Sequence, residues 1–260
     1  MANRPQAAAD AAQRLLWFSP PDVDESPRRA LTRERVVTEA LTVISTNGVD
    51  ALSMRALAAR LGVVPGALYR HVRSKEQLRD LVVDGVLAEI DCQADHSLTW
   101  TEQVKMLAHR LRAVLEDHPG IAGLLKTRDP LGPHSLALAE AFLAPLQSAG
   151  LPEQETALAF SLIYDYTLGF ALSDRTTVNE RRVQDTAVRH QLHAFFRSLP
   201  ADRFPALAAI GEYVWANNRD ERFTTSLETL VGGLQAAHPD GAGHGRPPPA
   251  APAPGAPETA

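Results

Sequence analysis

The chain has almost no cysteine. Cys92 is alone among 260 residues, so no intrachain disulfide can form, as expected of a protein kept in a reducing cytoplasm. A redox-sensing role for Cys92 finds no support in its neighbours, because Asp91 opposes a thiolate. Long apolar runs are missing too. The most apolar stretch, 157–172, is short and carries Asp165, and the first residues lack a positively charged start followed by an apolar run, so neither a membrane span nor an export signal is expected. The constellations of common catalysts are also absent: no Gly-x-Ser-x-Gly elbow, no Gly-rich phosphate loop, no His-Glu-x-x-His pair and no cysteine cluster. His190 and His193 stand three apart, a spacing that suits a shared metal, but such pairs are common on solvated helices. No metal and no cofactor is assigned. These absences weigh against an enzyme. Strand patterns are scarce as well, and the expected fold class is all-α.

What is present is a soluble globular composition, 45% apolar and 22% charged, in a chain long enough for two domains. The most informative stretch is residues 53 to 75, SMRALAARLGVVPGALYRHVRSK. Ser53 is a good N-cap, and Met54, Leu57, Ala58 and Leu61 follow at helical spacing, which predicts a short helix with one buried face. Gly62 ends it by supplying the left-handed backbone of a tight turn, and Pro65 has the fixed φ suited to the start of a second helix. On that second helix Val64, Leu68 and Val72 fall four residues apart and are expected to point inward, leaving Gly66, Ala67, Tyr69, Arg70 and His71 outside. An exposed Tyr69 has no packing reason to be there, whereas in a major groove its ring touches a thymine methyl and its hydroxyl a phosphate. Gly66 and Ala67 allow the backbone close to base edges. The pattern predicts a DNA-binding helix-turn-helix; an ordinary helical hairpin is the alternative.

The flanks complete a three-helix unit. Thr32 caps a helix with the apolar stripe Val36, Val37, Ala40, Leu41 and Ile44, and Asn47-Gly48 stops it. Ser74 caps a fourth helix, with Gln77 placed for a capping box, and Leu78, Leu81, Val82 and Val86 carry the stripe toward the rest of the protein. This helix links two domains.

Residues 32 to 90 resemble the TetR (tetracycline-repressor-like) family of bacterial transcriptional regulators. The match is carried by Gly48, Leu52-Ser53-Met54-Arg55, Leu57-Ala58, Leu61-Gly62-Val63, Leu68-Tyr69, His71-Val72 and Lys75. The resemblance implies that Arg55 reaches a base edge and that Pro65, Gly66, Ala67 and Arg70 line the recognition surface. It further implies that Ser53, Tyr69, His71 and Lys75 grip phosphates of a double-stranded DNA operator. Gly66 and Ala67 replace larger residues of the tetracycline repressor, so the docking mode carries over and the operator sequence does not.

Charge agrees with this reading. Residues 28 to 79 hold ten Lys and Arg against four Asp and Glu, a net of +6, in a chain whose overall charge is −5, so the remainder carries −11. A basic module on an acidic body lets one face meet phosphates while the rest stays off DNA. Arg28 and Arg29 resemble the basic arms that enter a minor groove; solvated charge is the alternative.

Beyond residue 91 the pattern is helical. Thr99 and Glu102 form a capping box opening a helix to about His118, where Pro119 breaks it. A short helix is expected over 120–126, another over 135–149 with Gly150 as its stop, and a third from Glu153 to about Ser173, apolar nearly all round and therefore in need of cover on every side. Phe223, Leu227, Leu230, Val231 and Leu234 stripe a last helix. Tyr166 to Phe170 and this closing helix resemble the ligand-binding domain of the tetracycline-repressor subgroup, whose inducers are small molecules. Candidate ligand contacts are the polar residues stranded on apolar helices, His109, Tyr164, Asp165 and Tyr166, with Met106, Leu107, Leu111, Phe142 and Phe170 as apolar wall. Asp165 reads equally as a carboxylate satisfied by a neighbour or exposed at an interface, His109 as a satisfied histidine, and the tyrosines as core aromatics. The wall suits a largely apolar, multi-ring inducer such as an antibiotic or metabolite. A magnesium site like that of the tetracycline repressor has no counterpart.

The two late stripes need partners, and a single helix-turn-helix reads too few bases, so a homodimer on a palindrome is expected, its recognition helices about 34 Å apart. The alternative is that both stripes serve the protomer core. The expected organisation is an N-terminal extension (1–28) with a short helix anchored by Trp17 and Phe18, a helix-turn-helix domain (29–75), a helical regulatory domain (76–238) and a disordered Pro/Ala-rich tail (239–260). The function expected is that of a ligand-responsive transcriptional repressor in the cytoplasm. Its rivals are a regulator that needs no ligand and a helical enzyme.

Overall fold

The computed structural model describes residues 31–118, 120–127, 131–173, 186–216 and 219–238. The N-terminal extension with Arg28 and Arg29, and the tail from residue 239, lie outside the described residues. Those described form eleven α-helices and no strand.

The first three helices are α1 (Arg33–Asn47), α2 (Met54–Leu61) and α3 (Pro65–Leu68), with a single 3₁₀ turn at Val49–Ala51 between α1 and α2. Each boundary has a local cause. Thr32 accepts from the Arg35 amide at 3.2 Å and Ser53 from that of Ala56 at 3.2 Å, satisfying donors that a helix start leaves orphaned. Gly62 closes α2 at φ +69°, the left-handed conformation that favours glycine. Val36, Ala40, Ile44, Leu57, Leu68 and Val72 are all but fully buried and lock the three helices together. Each valine, leucine or isoleucine among them contributes on the order of 1.5–3 kcal/mol. Arg60 of α2 donates to Glu39 of α1 across the surface.

Val64 corrects the sequence expectation: it is 71% exposed rather than buried. Pro65 occupies the first helical position, so Val64 is the N-cap, in extended conformation at ψ 146°, and helical spacing does not reach back to it.

Helix α4 (Lys75–Leu87) follows, capped by Ser74, which accepts from the Gln77 amide at 3.1 Å. The expected capping box is displaced by one residue, since the Gln77 side chain accepts from the Arg73 amide at 2.5 Å. The remaining helices are α5 (Trp100–Asp117), α6 (Ile121–Thr127), α7 (Pro133–Ser148), α8 (Glu153–Ser173), α9 (Thr186–Arg197), α10 (Pro205–Ala216) and α11 (Arg219–Ala237). The Thr99–Glu102 capping box forms at the start of α5. Helix α7 opens two residues earlier than expected, because Pro133 needs no partner at a first-turn position. The hairpin of α9 and α10 was not anticipated as a pair; the two helices pack on each other.

Helix α4 sits between two bodies. It packs on α1 on one side and on α5, α6 and α7 on the other, while α5, α7, α8 and α11 pack among themselves. Phe223, Leu227 and Val231 of α11 are buried in this protomer core, and Leu230 and Leu234 only partly. The stripe on α11 therefore belongs first to its own protomer. On α8 the face bearing Leu158 and Leu162 stays exposed, together with Asp165. Among the described residues no helix is long and apolar enough to cross a membrane.

Candidate nucleic-acid interface and regulatory core

Helix α3 is a single turn with two opposed faces. Leu68 is 0% exposed while its neighbour Tyr69 is 52% exposed, so the ring points away from the core. Around it Val64, Pro65, Gly66 and Arg70 are exposed, and Ala67 and His71 partly so. A Cβ built on Gly66 meets nothing within 4 Å; the glycine serves no internal contact, and the free space faces outward. Ser53 and Arg55, at the start of α2, are exposed as well. Lys75 begins α4, where a cation opposes the helix dipole by about 0.3–1 kcal/mol. A phosphate nearby reverses that sign. Every described DNA-contact candidate is thus exposed or partly exposed, and all lie on α3, at the starts of α2 and α4, or in the turns beside them.

Sequence reasoning missed Val64 as a member of this surface. Its signal was there: a proline at the first helical position puts the preceding residue outside the helix. Burial, and then the charges of Arg70 and Arg33, hold His71 below its ordinary value of 6.5, Glu34 opposing weakly. In the free protein the neutral form of His71 is therefore favoured over its cation more than in an unperturbed histidine.

The ligand candidates separate into two groups. Phe142 of α7 touches Phe160, which touches Tyr164, with ring centroids 6.0 and 5.4 Å apart. In the other group Phe170 and Tyr166 of α8, His109 of α5 and Phe223 of α11 form one cluster, with centroids 5.0–5.9 Å apart. The Arg112 guanidinium lies 4.7 Å from the Phe223 ring and 5.2 Å from that of Phe170, and it donates to Glu116 and Asp220. Neither Phe223 nor Arg112 was picked out from the sequence as part of this site; cation–π contact between α5 and α11 is a tertiary event. Leu107 and Leu111 are buried, Met106 and Tyr164 partly buried, and His109 and Asp165 exposed at the protomer surface. Burial and the charge of Arg112 keep His109 below 6.5.

Burial pushes the Cys92 thiol up, Asp91 adds to this and Arg110 opposes it, so the thiolate is disfavoured. Among the described residues no group of His, Cys, Asp and Glu is arranged to hold a metal ion.

A short recognition helix over a three-helix unit, joined by one helix to a larger helical body, defines a helix-turn-helix DNA-binding protein with a regulatory domain. Comparison with known proteins gives the family. Residues 36–82 match the family model for bacterial regulatory proteins of the tetR family, and 94–238 match that for the tetracyclin repressor-like C-terminal domain. The chain is 31% identical over 202 residues to an HTH-type transcriptional regulator of Saccharopolyspora erythraea, covering 78% of this chain and 84% of that protein. It is 30% identical over 226 residues to the HTH-type transcriptional repressor DrrR1 of Streptomyces coeruleorubidus, covering 85% and 83%. The crystal structure of the Streptomyces coelicolor TetR family protein ActR in complex with actinorhodin superposes with a TM-score of 0.72 at 33% identity, covering 80% of this chain and 99% of that one. The protein belongs to the TetR family and is a DNA-binding transcriptional regulator.

Proposed function

We propose that this regulator is a repressor that binds a palindromic operator as a homodimer and is released by a small, largely apolar, multi-ring compound. The observation that carries DNA reading is the pairing of exposed Val64, Tyr69 and Arg70 with buried Leu68 and Val72 along the short helix α3 and the residues that flank it. Residues 29–75 are taken as the reading domain, with Arg55, Pro65, Gly66 and Ala67 at the bases and Ser53, Tyr69, His71 and Lys75 at the phosphates, and 76–238 as the regulatory domain. Leu158 and Leu162, left uncovered on α8, support dimerisation. DrrR1, named a transcriptional repressor, supports repression, and ActR in complex with actinorhodin supports a bound ligand. The site of action is the cytoplasm, and the role is not enzymatic.

Release follows from a population shift: the free dimer holds both recognition helices at operator spacing, and ligand moves α4 so that the spacing no longer fits. A regulator that needs no ligand is the second reading, favoured by how closely the rings pack within each of the two aromatic groups. The test is a gel-shift on the DNA beside the protein's own gene, repeated with a panel that includes actinorhodin. Release by one compound is expected, and linkage then requires operator DNA to weaken that compound's affinity by the same factor. Equal affinity with and without operator removes the release mechanism.

A further inference from the structure

Helix α7 starts without a cap of its own. Its N-cap is Gly132, which offers no side chain, and Pro133 at the first position has no amide hydrogen. The next two amides, of His134 and Ser135, would be orphans. Both donate at 3.0 Å to one oxygen of Asp84, fifty residues earlier on α4. The Ser135 hydroxyl donates to the same oxygen at 3.3 Å, and His134 Nδ1 lies 2.8 Å from the other. Asp84 is 3% exposed. A carboxylate that deep requires this number of donors, and the positive end of the α7 dipole adds to them. Serine, histidine and aspartate meet here without forming a nucleophile and base, because the hydroxyl donates to the carboxylate rather than to the imidazole. The arrangement is a clamp.

Its position gives the clamp a use. Helix α4 carries the three-helix reading unit at one end and the clamp near the other, while α7 carries Phe142, which leads through Phe160 to Tyr164. We propose that Asp84 is a positioning residue for regulation: by capping α7 from α4 it fixes the angle of the reading unit against the regulatory body and passes displacements of α7 to the recognition helix. This deepens the function proposed above and rests on it for the ligand half alone, since the angle is fixed whether or not a ligand exists.

The test uses the full chain carrying Cys92→Ser, with spin labels on Thr42→Cys of α1 and Gln147→Cys of α7, both exposed positions. The distance distribution between them is measured without DNA or ligand, in Asp84→Ala, in Asp84→Asn, and in the control Thr99→Ala, which removes a cap of similar strength from α5 without touching α4. The expected result is a markedly broader distribution for Asp84→Ala, a smaller broadening for Asp84→Asn, which keeps an acceptor for the two amides, and no change for Thr99→Ala. Operator affinity is expected to drop about tenfold further in Asp84→Ala than in the control at matched melting temperature. An unchanged width in both Asp84 variants, or equal loss of affinity in the control, overturns the proposal. If Asp84→Ala does not fold, Asp84→Asn decides. Failure of the wild-type chain to bind any duplex defeats the proposed function and leaves the distance measurement to judge the clamp.

Discussion

Two adjacent side chains at the end of α3, its last residue and its C-cap, should fail in opposite ways when cut back to alanine. Leu68 is fully buried, so Leu68→Ala loses transfer free energy and leaves a cavity, about 2–5 kcal/mol of stability. For a chain of this size that lowers the melting temperature by roughly 2–4 °C per kcal/mol. Tyr69 is half exposed, so Tyr69→Ala should cost far less stability than Leu68→Ala, on the order of 0.5 kcal/mol. Its cost falls on DNA: one base contact is worth about 1–3 kcal/mol, and a symmetric dimer loses two, at least about thirtyfold in operator affinity. Tyr69→Phe separates the parts of that loss, since it removes the phosphate hydrogen bond, about 0.5–1.5 kcal/mol, and keeps the ring in place. Circular dichroism melts give stability, and fluorescence anisotropy on a labelled operator at fixed salt gives affinity. If Tyr69→Ala binds within twofold of wild type, or melts as early as Leu68→Ala, the assignment of α3 as the reading helix is wrong.

Other outcomes follow from single residues. Val64→Ser should leave the melting temperature unchanged and weaken discrimination at one thymine, whose methyl group then loses an apolar contact, read by binding to operators mutated base by base. Gly120 has φ +96° and a Cβ there would stand 2.9 Å from Val49 Cγ2; Gly120→Ala should destabilise by roughly 1–3 kcal/mol from crowding and about 1–2 kcal/mol from the backbone, seen as a lower urea midpoint. His71 lies below 6.5 in the free protein, and a phosphate partner favours its protonated form, so operator binding should take up a proton and tighten as pH falls from 7.5 toward 6. His71→Gln should flatten that slope. For stability the sign is reversed: the unfolded chain, with an ordinary histidine, takes the proton first, so the fold loses the His71 contribution as pH drops through 6.5 toward its lower native value.

Much of this protein was decided locally and was therefore legible in one dimension. Thr32, Ser53, Ser74 and Thr99 cap helices because their oxygens reach amides three residues on, and Gly48, Gly62 and Gly150 close helices because their φ is positive. Such signals need no distant partner. The outward face of α3 was readable for the same reason, apart from Val64, which stands one residue ahead of the proline that begins the helix and so outside the helical period.

What sequence could not supply was decided by contacts between residues far apart in the chain. The aspartate among the valines of α4 gives no hint, alone, that it caps a helix beginning at Pro133. Nor does the apolar stripe of α11 say whether it faces its own protomer or another; packing against α5 and α8 settles Phe223, Leu227 and Val231 inward. Arg112 comes to lie between Phe170 and Phe223 only when three helices meet. Periodicity records which side of a helix avoids water, and it is the same whether the cover comes from the next helix, from a helix a hundred residues later, or from a second chain. Local hydrogen bonds and backbone angles fixed the elements; the choice among those covers belonged to the tertiary structure.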